Sequence, residues 1–177
     1  GGIWGDLPAR LAQHFRVTTL DLPGHGRSRT AGESLSLAAF TDRVAELCPA
    51  PAIWLGWSLG GLIALNAALR HPHKVAKLVL VGTTPRFVQA PDWPHAMSKE
   101  VFADFARGLT QDYRATLLRF LSLQVGGNES ARTLLKRLRA EMFAHGEPQA
   151  EALAAGLAIL EQTDLRARLA EIRVPAL

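Results

Sequence analysis

The sequence predicts an α/β fold: a parallel sheet core with an inserted helical block lying over it, incomplete as given. Three observations predict it. Short apolar runs, VTTLDL (Val17–Leu22), AIWLGW (Ala52–Trp57) and KLVLVGTTP (Lys77–Pro85), alternate with stretches of helical periodicity, and that alternation is the mark of a parallel sheet. A serine stands among glycines in GWSLGG (Gly56–Gly61), where the second run gives way to a helical pattern. From about Met97 to Leu169 the periodicity is helical and no strand-like run occurs. The expected layout is therefore residues 1–85 as the N-terminal part of the core, 86–170 as a helical cap over the sheet's C-terminal edge, and 171–177 as the start of the next core strand.

Each element follows from local chemistry. Val17–Leu22 is β-branched and apolar and ends at PGHG, so a buried strand running into a turn is expected. Leu37, Phe40, Val44 and Leu47 fall at helical spacing, with Ser34 or Ser36 available as a cap. Ala52–Trp57 is continuously apolar, as in a strand buried on both faces. Leu59–Pro72 predicts a helix stopped at the proline, and Lys77–Pro85 another buried strand. In the cap, Tyr113, Leu117, Phe120 and Leu121 form one apolar stripe and Leu134, Leu135, Leu138 and Met142 a second. RVPAL at the end has the character of a further strand.

Composition narrows the class. The 177 residues are 48% hydrophobic and 20% charged, ordinary for one soluble domain. No apolar run approaches a membrane span, and the first residues lack the basic segment and apolar core of a signal peptide. The chain does not begin with Met, which suggests that it is cut upstream. Its single cysteine, Cys48, excludes an internal disulfide, fits a reducing cytoplasmic setting and is expected to be a small core residue. There is no Walker loop, no G-x-G-x-x-G and no His/Cys cluster, so neither a nucleotide nor a metal site is expected.

GWSLGG places Ser58 at the end of a buried strand and just before a helix, the setting of a G-x-S-x-G nucleophile elbow. Such a turn strains the serine backbone, and small residues at Gly56 and Gly60 are expected to let strand and helix approach. The helix start directs its N–H groups and positive dipole end towards the serine oxygen, and the N–H of Leu59 is placed to donate to an oxyanion.

These residues carry a resemblance. The chain resembles the α/β-hydrolases and, more narrowly, the pimeloyl-[acyl-carrier protein] methyl ester esterases, carboxylesterases of biotin synthesis. The matching stretches are DLPGHGRSR (Asp21–Arg29), AIWLGWSLGGLIA (Ala52–Ala64), the region His71–Phe87, DWP (Asp92–Pro94), RFLSLQ (Arg119–Gln124) and LEQTDLR (Leu160–Arg166). The first two are shared by much of the superfamily; WLGWSLGG, DWP and RFLSLQ are narrower. The resemblance implies Ser58 as nucleophile and Leu59 as one oxyanion donor. It also implies an acyl channel lined by Phe120, Leu121, Ser122, Leu123 and Gln124, an acyl-carrier protein as partner, and no cofactor. From spacing alone, Phe120 and Leu121 are equally well plain cap core.

Net charge is +4, and the six basic residues Arg114, Arg119, Arg132, Lys136, Arg137 and Arg139 against Asp112 and Glu129 account for all of it. On a helix Arg132, Lys136 and Arg139 share a face. With Arg119 they are the candidate docking residues for the acidic carrier; a solvated helix face is the other reading. Neither nucleic acid nor membrane is an expected partner, and a monomer is expected.

One departure matters. The family's fold uses Ser, then Asp, then His in chain order, and neither acid nor base follows Ser58 at the family's positions. The second oxyanion donor is absent too. The chain is therefore expected to be truncated at both ends and nearly inactive alone. Among the six histidines, His25 in the PGHG loop is the nearest substitute and is expected to be a turn residue, while His71 and His73 complement a helix end. Asp21 stands before the nucleophile, and Asp164 suits helix capping. Two alternatives remain open. One is a general short-chain carboxylesterase or thioesterase. The other is a non-catalytic binding module that keeps the elbow without the base.

Overall fold

The computed structural model describes residues 2–48, 51–125, 133, 135, 136, 138–140, 143, 144 and 146–177. Leu134 and Met142 of the second cap stripe, and Arg132 and Arg137 of the basic segment, lie outside the described residues.

The core is a strand–helix–strand unit. Strand β1 (Ala52–Trp57) leads through Ser58 into a helix, Leu59–Arg70, and strand β2 (Val75–Val81) returns parallel to β1. The register runs from Ile53 opposite Lys77 to Trp57 opposite Val81. On β2's other edge the chain end pairs in parallel: Leu78 N–H donates to Pro175 O at 2.9 Å, and Leu80 N–H to Leu177 O at 2.7 Å.

Two short helical segments, Gly2–Trp4 and α1 (Leu7–Leu11), precede the PGHG loop. Helix α2 (Leu37–Leu47) follows, its start capped by Ser36, whose hydroxyl accepts from Ala39 N–H at 3.2 Å. The helix Leu59–Arg70 is α3. It stops at Arg70 rather than running to Pro72, because a proline bars the residue before it from the helical region, and His71 takes φ −130°, ψ 55°. Residues Gly61 to Ala68 of α3 are all buried. Leu62, Ile63 and Leu65 are sealed between β1, β2 and α2, each contributing about 1.5–3 kcal/mol of burial. One polar contact fixes α2 on α3: Asn66 Nδ2 donates to Thr41 Oγ1 at 2.8 Å, and that hydroxyl donates to Leu37 O at 2.7 Å.

The run Val17–Leu22 is not a strand. It pairs with no neighbour among the described residues, although Leu20 and Leu22 pack on the core. Its apolar pattern is real, but a strand exists only through a ladder with another strand, and β1 pairs only with β2 among the described residues.

Beyond β2 lie α4 (Lys99–Gln111), α5 (Tyr113–Val125) and α6 (Ala150–Gln162), with helical residues described between 133 and 143. Leu109, Leu117 and Leu121 form the centre of a second apolar cluster, ringed by Phe105, Tyr113, Phe120, Leu135 and Phe143. Helix α6 belongs to both clusters. Ile159 is buried in the core, whereas Leu153 and Leu157 pack on the α4–α5 cluster. Trp57, the last residue of β1, joins that cluster as well.

Candidate active site

Ser58 occupies the single residue between β1 and α3, at φ 54°, ψ −121°. It is the one non-glycine with positive φ among the described residues. A side chain there costs on the order of 1–3 kcal/mol, so the surroundings must over-determine it. They do. Ser58 N–H donates to Val81 O at 3.0 Å, tying the turn to the end of β2. Ser58 O accepts from Gly61 N–H at 2.9 Å, from Leu62 N–H at 3.2 Å and from Thr83 Oγ1 at 2.9 Å. The serine hydroxyl itself has no hydrogen-bond partner among the described residues.

The glycines divide differently from the sequence expectation. A Cβ on Gly56 would collide with the Gly60 carbonyl and lie 2.6 Å from Gly61 Cα. A Cβ on Gly61 would lie 2.5 Å from Thr83 Cγ2, whose own hydroxyl holds Ser58. At Gly60 a Cβ would meet open space. Gly56 and Gly61, not Gly60, are therefore the positions where strand, helix and the loop after β2 need the room. The N–H groups of Leu59 and Gly60, first in α3, have no acceptor within the helix. Together with the dipole of a 12-residue helix they favour negative charge beside Ser58.

Residues of α5 and α6 pack against this turn. Leu59 Cδ2 lies where a Cβ of Gly156 on α6 would be 3.1 Å away. Phe120 lies against Trp57 with ring centroids 6.3 Å apart, and against Phe105 at 5.2 Å. An aromatic row thus runs from the residue before the nucleophile candidate into the cap. Of the other channel candidates, Leu121 is buried in the cap cluster. Ser122 is exposed, its hydroxyl donating to Arg119 O at 2.7 Å; Leu123 is 77% exposed, and Gln124 is exposed.

The remaining candidates have other partners. The Asp21 carboxylate accepts from Arg27 N–H at 3.2 Å and backs Gly26, so it shapes the PGHG loop. His25 is half-buried with Nδ1 3.0 Å from Pro23 O, and burial pushes its pKa below the usual imidazole value. It is a turn residue. His71 does not merely complement a helix end: Nε2 lies 2.6 Å from Asp42 Oδ1 on α2, and Arg70 pairs with the same carboxylate at 2.7 Å. Asp164 accepts the Arg166 N–H at 3.1 Å as a capping residue would, but its main partners are guanidiniums, Arg86 at 2.8 Å and Arg166 at 2.7 Å. Both hold its carboxyl well below the usual carboxylate range, Arg166 most strongly. Cys48 packs against the core, and burial pushes its thiol pKa up. No group of three or more His, Cys, Asp or Glu side chains that could hold a metal is found among the described residues, and no described helix is long and apolar enough to cross a membrane.

Of the docking candidates, Arg119, Lys136 and Arg139 are exposed and Arg132 lies outside the described residues. Lys136 and Arg139 share an open notch of about 330 Å³ with Arg114, over Phe143. Arg114 also pairs with Glu147 at 2.7 Å and sits 5.0 Å from the Phe143 ring centre. Sequence reasoning did not single out Arg114, Thr83, Trp57 or Gln149 as site residues. Trp57, flanking the serine in an apolar run, and Arg114, within the basic segment, were the ones with a local signal.

A strained serine on a strand–helix turn of a parallel sheet is matched by a family model for the alpha/beta hydrolase fold over residues 1–177. The chain belongs to the α/β-hydrolase family. Over 177 residues, all of this chain, it is 47% identical to a pimeloyl-[acyl-carrier protein] methyl ester esterase of Xanthomonas oryzae, covering 69% of that relative. A protein of the same name from Stenotrophomonas maltophilia is 46% identical and is covered to 68%. Among solved structures, an enol-lactonase from Burkholderia xenovorans superposes with TM-score 0.75 at 25% identity, covering 98% of this chain and 65% of that one. An esterase from Thermogutta terrifontis gives 0.73 at 22% identity over 98% and 64%, a likeness of fold.

Proposed function

We propose that this chain carries the nucleophile and the cap of a serine carboxylesterase that removes the methyl ester from a pimeloyl chain held on an acyl-carrier protein, a cytoplasmic step of biotin synthesis. The observation that carries the reading is the strained Ser58 at the β1–α3 junction. It occurs in a chain 46–47% identical along its whole length to esterases of that name.

Ser58 Oγ attacks the ester carbonyl carbon while a base takes its proton. The tetrahedral oxyanion accepts the Leu59 N–H at the positive end of α3. Methanol leaves with that proton, giving an acyl-enzyme, and water then adds to the acyl carbon and releases the free carboxylate. The thioester to the carrier is untouched. The base and the acid that orients it come from elsewhere in the whole protein, in the chain order Ser, Asp, His. No cofactor takes part.

Trp57 and Phe120 form the apolar wall next to the nucleophile, and Phe120 to Gln124 continue along the acyl channel with Leu121 as backing. Each methylene buried there is worth about 0.8 kcal/mol, enough for an apolar wall to select chain length. Arg119, Arg132, Lys136 and Arg139 attract the acidic carrier, and the protein works as a monomer.

The test compares the intact protein with Ser58→Ala on p-nitrophenyl butyrate and on the carrier-bound methyl pimeloyl ester. The expected loss in kcat is on the order of 10⁴–10⁶-fold, with carrier affinity retained. Equal rates would remove Ser58 from the chemistry. A higher kcat/KM for the free butyrate than for the carrier-bound ester would make the protein a general carboxylesterase.

A further inference from the structure

We infer that Arg166 is a positioning residue: its guanidinium clasps the chain entering the cap to the chain leaving it, and so sets the gap between Phe120 and Trp57. The inference rests on the esterase reading only for what that gap receives.

The geometry is that of a fork held from two sides. Arg166 Nη1 lies 3.0 Å from Asp92 Oδ2, and Nη2 lies 3.2 Å from Asp92 Oδ1, on the entering chain. Nε and Nη2 donate to the two oxygens of Asp164 on the leaving chain, at 2.9 and 2.7 Å. The guanidinium carbon stands 5.2 Å from the centre of the Trp93 ring. Arg86, also on the entering chain, donates to Asp164 at 2.8 Å, and Leu165 N–H donates to Pro85 O at 3.0 Å. Planar, two-sided pairing of this kind needs a guanidinium; an ammonium cannot span both carboxylates in one plane.

The side chains of Arg166, Arg86 and Asp164 are 22%, 23% and 30% exposed, whereas Asp92 is 71% exposed, about as open as Asp104 at 72% in the ordinary surface pair with Arg107. The Asp164 end of the clasp is thus partly shielded from water while its Asp92 end is open, and it is as a network of several charges rather than as an isolated pair that such ion pairs hold a geometry.

Its reach to Phe120 follows from the other fastenings. The start of α6 is already fixed to the core: Gln149 exchanges hydrogen bonds with the backbone of Thr30 at 2.8 and 3.0 Å, and its N–H donates to Gly24 O at 2.8 Å. Ile159 is sunk in the core. Helices α4 and α5 meet α6 itself through Leu153 and Leu157 in the apolar cluster, and α5 is tied to the chain just before α6 by the exposed pair of Arg114 with Glu147 at 2.7 Å. The entering chain that leads to them is held to the leaving chain by the Arg166 and Arg86 pairs.

The experiment uses the intact protein with Arg166→Met, which keeps an unbranched apolar stem, Arg166→Lys, and Arg107→Met as the surface-pair control. Hydrogen exchange is followed in residues 99–125 and in α3. KM and kcat are measured for p-nitrophenyl acetate and for carrier-bound methyl pimeloyl ester, and Ser58 is titrated with a fluorophosphonate. For Arg166→Met, exchange in 99–125 should quicken about 5- to 10-fold with α3 unchanged, as for a local opening. KM for the long ester should rise by about the same factor, while acetate turnover and labelling stay within about twofold. Arg166→Lys should fall between, and Arg107→Met should match wild type. Unchanged exchange in 99–125, an equal rise in α3, or equal losses on both esters would overturn the clasp. If wild type neither turns over ester nor takes the label, the esterase reading fails, and the exchange result alone decides the clasp.

Discussion

Gly56→Ala and Gly60→Ala should move stability in opposite directions, although both change a glycine of one six-residue motif. At Gly56 the added methyl meets backbone: the Gly60 carbonyl, and Gly61 Cα at 2.6 Å. No side chain can rotate away, so β1 and α3 must separate at the point where Ser58 is held to Val81 and Thr83. Overpacking of this kind costs about 1–3 kcal/mol, with the rigid backbone contact pushing towards the upper end. At Gly60 the methyl meets nothing within 4 Å, and the residue is the second of α3. Alanine is there the better helix former by up to about 1 kcal/mol. Urea unfolding of the intact protein separates the two. With a slope of about 2 kcal/mol per M, the midpoint should fall by roughly 1 M for Gly56→Ala and rise by up to roughly 0.5 M for Gly60→Ala. Equal destabilisation by the two substitutions would refute the assignment of the close approach to Gly56 and Gly61.

Two more predictions concern the aromatic wall and the α2–α3 junction. Phe120→Leu keeps apolar bulk but removes the ring facing Trp57; a ring pair is worth about 0.5–1.5 kcal/mol beyond its area, so KM for the pimeloyl ester should rise about 2- to 12-fold with fluorophosphonate labelling of Ser58 unchanged. Arg70 and then His71 lower the pKa of Asp42 from its ordinary 3.8. A depressed folded pKa means that its stabilisation is complete above 3.8 and is lost as pH falls through the lower folded value. Acid titration of unfolding should therefore show a steeper loss below about pH 4 in wild type than in Asp42→Asn; identical slopes would remove Asp42 from the acid response.

What was legible in the sequence is what local pattern encodes. The apolar run at Ala52–Trp57, the helical spacing after Leu59 and the capping serine before Leu37 all name their own elements. The strained turn between them follows, because an apolar strand that stops at a serine and restarts as a helix leaves one residue for the reversal. Val17–Leu22 has an equally good local pattern and fails as a strand, because the missing term is a partner. The choice between Gly60 and Gly61 was hidden for the same reason: it depends on Thr83, which arrives from the end of β2. Asp164 shows the limit most clearly. Its turn with Arg166 is two residues long and was foreseen as capping, but Arg86 is 78 residues away and leaves no local trace.

The two fastenings of α6 have a consequence for how strain at the nucleophile is kept. Ser58 is bonded through its backbone to β2, to α3 and to Thr83, so its position is set by the core alone. Helix α6 adds to this from the other side, since Gly156 leaves just enough space for Leu59 and any larger residue would press on the first turn of α3. The helix that covers the elbow is therefore tied to the core, by Ile159 within it and by Gln149 at its start. The surface proposed to meet the acyl chain, carried by Phe120 on α5, is held by apolar packing, by the exposed pair of Arg114 with Glu147 and by the clasp at Arg166. A fixed elbow under a separately fastened wall lets the wall adjust to a chain of given length while the serine oxygen and the Leu59 N–H keep their geometry. That is the division of labour a chain-length-selective hydrolase requires, because preorganised donors lose their value when the substrate's tail can displace them.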